Sequence, residues 1–157
     1  MAKPNCLFVC VLVLILSGCF PPKTQKMYSG SQLPPSKEST ITTKGTTGEP
    51  VTGIRISSVD GEKTVNFFKR LFTGPATEVN VAPGKHDIGL LFNTGSSLKT
   101  KDLWLVACPG KTYFAKARFL DENDFQMWIE DKEGNRVGGV KGSGDEPKGK
   151  NVSCGQG

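Results

Sequence analysis

The stretch VAPGKHDIGLLF (residues 81–92) sets a turn against a strand, and its reading decides the fold. Pro83 presets the first central φ of a type II turn and Gly84 takes the positive second one. Beyond the turn Ile88, Leu90 and Phe92 share one face, the period-two signature of a half-buried strand. The same period runs upstream, where Val79 and Val81 alternate with Glu78 and Asn80. Ile54 and Ile56 alternate with Arg55 and Ser57, and Asp60-Gly61 follows as a hairpin-type turn. Downstream, Leu103, Leu105 and Ala107 oppose Trp104, Val106 and Cys108, and Pro109-Gly110 repeats the turn chemistry. Tyr113, Ala115, Ala117 and Phe119 then face away from Lys116 and Arg118. Phe125, Met127 and Ile129 alternate with Gln126, Trp128 and Glu130, ahead of a turn at Lys132–Asn135 and a short strand over Arg136–Val140.

Glu62–Phe72 is ambiguous in period: Val65, Phe68 and Phe72 fit a helical stripe, whereas Val65 and Phe67 fit a strand. Its neighbours are strands, and the strand reading is adopted. Six to eight short strands joined by tight turns predict an all-β domain over residues 51–140, an antiparallel sandwich or a small barrel. Residues 19–50 are rich in Pro, Ser, Thr, Lys and Gly and read as a flexible tether, with a coil reach of roughly 30 Å. Residues 141–157 read as a Gly/Lys-rich tail with only Cys154 to dock it. Hydrophobic residues make up 36% of the chain, which suits one modest core rather than a membrane bundle. The formal charge of +5 is scattered. Nucleic-acid binding wants a basic stripe with interleaved aromatics, and the chain has none.

The N-terminus carries Lys3, an apolar run from Leu7 to Leu16, then Ser17 and Gly18. A spanning helix needs ~20 apolar residues. The run is shorter and has the proportions of a secretory signal over residues 1–18. Leu16-Ser17-Gly18-Cys19 resembles the lipobox of bacterial lipoproteins. That resemblance implies cleavage before Cys19, a diacylglyceryl thioether on its sulfur and an acylated amine, hence a membrane anchor. Several buried chains hold firmly where a single one binds only marginally. Phe20 stands where enteric lipoproteins retained in the inner membrane carry Asp, which implies the outer membrane, facing the periplasm. With Cys6 and Cys10 removed and Cys19 lipidated, Cys108 and Cys154 remain as a pair in an oxidising compartment. A disulfide between them is the favoured reading, against one buried thiol and one free tail thiol. Closing a loop of that size contributes ~4 kcal/mol in the chain-entropy model.

Three segments, VAPGKHDIGLLF, GKTYFAKARF and FQMWIEDKEGNRV, resemble a group of small bacterial lipoproteins of unknown function. The shared elements are a PG-x-H turn (Pro83, Gly84, His86), a G-x-x-Y strand (Gly110, Tyr113) and a Trp-Ile-x-Asp run read at Trp128, Ile129 and Asp131. The similarity covers about half the chain. It implies an immunoglobulin-like or transthyretin-like β-sandwich and no catalytic residues.

Candidates for chemistry are few. His86 is the sole histidine, and nucleophilic catalysis needs a base held beside its nucleophile. One His without clustered Cys or His partners also makes a poor zinc site, so neither a metal nor a cofactor is expected. Asp121, Glu122 and Asp124, and Glu130 with Asp131, could form a carboxylate pair for glycoside chemistry. Both clusters fall in predicted turns, where carboxylates cap backbone amides. DENDF lacks the rest of a calcium loop. Gly139, Gly142 and Gly144 lack the Gly-Lys-Ser/Thr ending and helix of a phosphate cradle. Trp104 and Trp128 each fall on the strand face opposite the core residues, and are candidates for a contact surface. The sequence therefore predicts a non-enzymatic, lipid-anchored module that binds or scaffolds an envelope protein. The alternative is a periplasmic inhibitor or ligand-binding module acting on a cell-wall enzyme.

Overall fold

The computed structural model describes residues 24–44, 53–64, 75–93, 95, 97–120, 125–147 and 154. They form eleven strands and no helix: β1 (Gln25–Lys26), β2 (Ser39–Thr42), β3 (Ile54–Val59), β4 (Glu62–Lys63), β5 (Glu78–Val81), β6 (Gly84–Asn93), β7 (Leu98–Ala107), β8 (Thr112–Phe119), β9 (Phe125–Glu130), β10 (Arg136–Val137) and β11 (Gly139–Val140). The first sheet has the order β1-β5-β2-β8-β9-β10 and the second β11-β7-β6-β3-β4. The two sheets make a sandwich rather than a closed barrel.

The period-two pattern puts its apolar residues where it should. Ile54, Ile56, Ile88, Leu90, Phe92, Leu103 and Leu105 from the second sheet meet Val79, Val81, Tyr113, Ala115, Met127 and Ile129 from the first. Both Pro-Gly turns carry the chain from one layer to the other. At the second, Lys111 N–H closes on the Cys108 carbonyl at 3.1 Å, with Gly110 at φ +70°, as a type II turn requires. Tyr113 reinforces that corner. Its hydroxyl accepts from Cys108 N–H at 2.9 Å, and burial raises its pKa. Between β3 and β4, Asp60 and Gly61 both take positive φ, the geometry of a two-residue hairpin loop.

Three expectations are corrected. Residues 19–50 are not tether throughout: β2 lies inside the first sheet, between β5 and β8, with Ser39 and Ile41 fully buried. The composition of the segment conceals this, because Ile41 is the one large apolar residue of Ser39–Thr42. The run is nonetheless rich in β-branched side chains, which suit a pleated, packed surface. The sheet is also mixed rather than antiparallel, since β2 pairs parallel to β8 and β1 parallel to β5. A strand that arrives from far away in sequence has no hairpin to impose antiparallel pairing.

The third correction concerns the tail. Residues 141–147 lie on the outer side of β6 and β7, held by Lys141 N–H to the Asp102 carbonyl at 3.0 Å. Ion pairs Lys141–Asp87 at 2.8 Å and Lys85–Glu146 at 2.5 Å add to this. Cys154 is bonded to Cys108, with the Cα atoms 5.6 Å apart. Of the ambiguous Glu62–Phe72 stretch, Glu62–Lys63 is strand and residues 65–72 lie outside the described residues. So do residues 1–23, Cys19 among them.

Among the described residues, each sheet ends on both sides in a two-residue strand. Short edges leave little backbone for another chain to pair with.

Candidate functional site

β9 enters its sheet with Met127 and Ile129 inward and Gln126, Trp128 and Glu130 outward. The hairpin after it is locked by Asp131, whose carboxylate accepts from Glu133 N–H at 3.0 Å, Asn135 N–H at 2.8 Å and Asn135 Nδ2 at 3.0 Å. Those hydrogen bonds, the Asn135 side chain foremost, hold its pKa below the ordinary value. The turn returns the chain along β10. Gly138 then crosses to the second sheet, where β11 pairs with Trp104 and Leu103 of β7. Gly138 has φ +78°, and a Cβ there would overlap the Trp104 carbonyl. Only glycine combines that backbone angle with so close an approach.

This crossing leaves a slot between the layers. Its volume is about 250 Å³. Leu103, Met127, Ile129 and Val137 supply apolar walls, with Gly138, Gly139 and Val140 closing one side. Gln126, Trp128, Arg136 and Lys101 complete the lining. The Arg136 guanidinium lies 4.5 Å from the Trp128 ring centre. Trp128 Nε1–H donates to Glu130 at 2.7 Å, fixing the indole beneath the cation. Lys101 precedes Leu103 by two along β7 and so faces between the sheets. Among the described residues neither Lys101 nor Arg136 has an ion-pair partner, and the lining holds no carboxylate. Its lining joins apolar walls to two cationic side chains.

The two tryptophans of the sequence reading do not form one surface. Trp104 projects from the second sheet and Trp128 from the first, each opposite its core neighbours, so they emerge on opposite outer faces. Trp104 is covered by the tail: Gly139 packs against its ring and its Nε1–H points at Ser143 Oγ at 3.4 Å. Trp128 alone belongs to the slot.

The remaining candidates take structural places. His86 is 8% exposed, with Nδ1 2.8 Å from Asp60 Oδ2 and Nε2 2.7 Å from the Ala82 carbonyl. Both ring nitrogens are engaged in closing that end of the sandwich. The disulfide removes Cys108 and Cys154 as thiols. Glu130 serves Trp128, and Asp131 serves its turn. Asp121, Glu122 and Asp124 lie outside the described residues, and among those described no group of three or more His, Cys, Asp or Glu could hold a metal.

A buried polar cluster escaped the sequence reading. Glu38 is 7% exposed. Its carboxylate accepts from Tyr28 Oη–H and, at 2.6 Å, from Asn80 Nδ2. Asn80 in turn accepts from Thr40 at 3.1 Å. This network ties the loop before β2 to β5. Nothing in the local sequence marks it, since its members are far apart along the chain. Lys101 was more accessible to inference, because it stands in phase with Leu103 and Leu105. The chain matches no protein-family model, no curated protein and no solved structure.

Proposed function

We propose that this chain is a lipid-anchored protein of the bacterial envelope, held through Cys19 to the outer membrane on its periplasmic side. Its sandwich works by binding a protein partner rather than by catalysis. The observation that carries the reading is the slot, whose lining among the described residues combines apolar walls with two cations, Lys101 and Arg136, and no carboxylate. Its size favours one inserted side chain: a cavity of ~150 Å³ accepts a benzene ring, while sites for drug-sized ligands run to ~300–1,000 Å³. The fitting occupant is a large apolar residue on a partner, flanked by Asp or Glu that meet Lys101 and Arg136. Pairing by strand addition is disfavoured by the two-residue edges.

The test places a photocrosslinking benzoylphenylalanine at Val140, at the slot, in cells carrying the full chain. A second position, Glu62, is exposed on the far edge of the second sheet. A discrete protein adduct is expected at position 140 and not at 62, and Lys101→Glu with Arg136→Glu should remove it. An adduct indifferent to charge reversal, or none at position 140, rejects the slot as the binding site.

A further inference from the structure

Ordered chain from Thr24 onward brings the proposed anchor close to the folded domain. Thr24 is already placed, its hydroxyl donating to Glu78 at 2.5 Å. It lies five residues after Cys19, a span of at most ~17 Å. The first sheet fixes the direction in which that leash leaves. β1 runs parallel to β5, with Gln25 opposite Val79 and Lys26 opposite Asn80. β5 runs antiparallel to β2, and β2 runs parallel to β8. The chain therefore enters β1 from the end of the sandwich where β8 finishes and β9 begins. Register sets the height as well: Glu78 pairs with Thr42, and Thr42 with Phe114. From Phe114 to Phe119 β8 advances ~17 Å at the usual rise. The leash just reaches that end.

That end is chemically distinct from the other. Only three large hydrophobic residues are exposed among those described, and two are here: Leu98, 62% exposed, beside the β6–β7 connection, and Leu120, 48% exposed, after β8. The two hairpin ends adjoin, since Lys99 Nζ lies 5.8 Å from the Phe125 ring centre. Lys44, Arg55, Lys99, Lys101, Lys116 and Arg118 occupy this half of the strands. They outnumber the carboxylates of the same half, which are Glu78, ion-paired to Lys44, and Asp102 among the described residues, and Asp121, Glu122 and Asp124, which the sequence places between β8 and β9. The opposite end holds Asp60, the Pro-Gly turns and the Lys132–Glu133 pair, with no exposed large hydrophobic residue among those described.

We infer that the Leu98–Leu120 end of the sandwich rests on the bilayer, its leucines at the interface and Lys99 and Arg118 against anionic headgroups. This rests on the lipid-anchor reading. Each Lys or Arg near an anionic surface adds to the attraction. The short leash makes the contact intramolecular, so even a weak surface preference sets the orientation. The slot then opens to the side of the molecule, where a periplasmic partner can approach it.

The experiment uses the full lipoprotein reconstituted in phosphatidylethanolamine–phosphatidylglycerol vesicles. Benzoylphenylalanine replaces Leu98, Leu120 or, at the opposite end, Glu133, all on the surface. Intact mass on each preparation reads the lipid at Cys19. Lipid adducts are expected at 98 and 120, with yields several-fold above those at 133, and Lys99→Glu with Arg118→Glu should lower them. A lipidated chain whose adduct yield at 133 equals or exceeds that at 98 and 120, or that gives none at 98 and 120, overturns the orientation and leaves the anchor standing. A chain without lipid overturns both.

Discussion

Replacing Ile41 with Ala separates a structural β2 from a tether. Ile41 is fully buried between the layers, in a strand flanked by β5 and β8. The substitution removes three carbon groups, each worth ~0.8 kcal/mol of transfer, or about 2.4 kcal/mol in total. Partial collapse of the resulting cavity adds to this, and buried Ile→Ala changes cost ~2–5 kcal/mol. The expected loss is about 3 kcal/mol. Urea unfolding of the disulfide-intact chain from residue 20 onward, at neutral pH, gives the value by linear extrapolation. An unchanged slope confirms that the denatured state is the same. Leu98→Ala, at an exposed position, is the control and should stay within ~0.5 kcal/mol. If Ile41→Ala also stays within that margin, β2 does not belong to the core and the leash argument fails with it.

Reduction of Cys108–Cys154 should release the tail from Trp104 and destabilise the domain by up to about 4 kcal/mol, for a loop spanning 46 positions. Calorimetry should show a fall of about 10–20 °C in Tm, and the Trp104 emission should shift to the red. An unchanged Tm would mean that the bridge only tethers the tail. Glu78 gives a pH dependence of known sign. Burial raises its pKa, but hydrogen bonds from Thr24 and Lys44, the Lys44 charge and Thr42 outweigh that and hold it below 4.5. Its contribution is present above the unfolded value and is lost as the pH falls through the lower folded one. Thermal melts of Glu78→Gln should therefore decline less steeply than wild type below pH 4.5, and parallel curves would contradict this.

The strands β3 and β5 to β9 could be read from the sequence because each sets large apolar residues in phase against polar ones, and burial follows that phase. Ser39–Thr42 could not, because its neighbours in the sheet come from distant parts of the chain and supply the burial that its composition does not announce. The slot was half-legible. Trp128 stood out as an aromatic on the outward phase, and Lys101 shared the phase of the core. What joined them to Arg136 was the Gly138 crossing, a backbone event governed by contact with the Trp104 carbonyl rather than by periodicity. Trp104 carried the same outward signature as Trp128. Its partial cover by residues 139–143 depends on ion pairs from Lys141 and Glu146, whose partners a linear pattern does not identify.

The lipid anchor is the premise on which the domain's place and orientation depend, and intact-mass measurement of the chain extracted from its own membranes tests it directly. The account predicts a polypeptide beginning at Cys19, heavier by a diacylglyceryl group and an amide-linked acyl chain, and lighter by two hydrogens for the Cys108–Cys154 bond. A chain that keeps Met1, or one that begins elsewhere and carries no lipid, would contradict it.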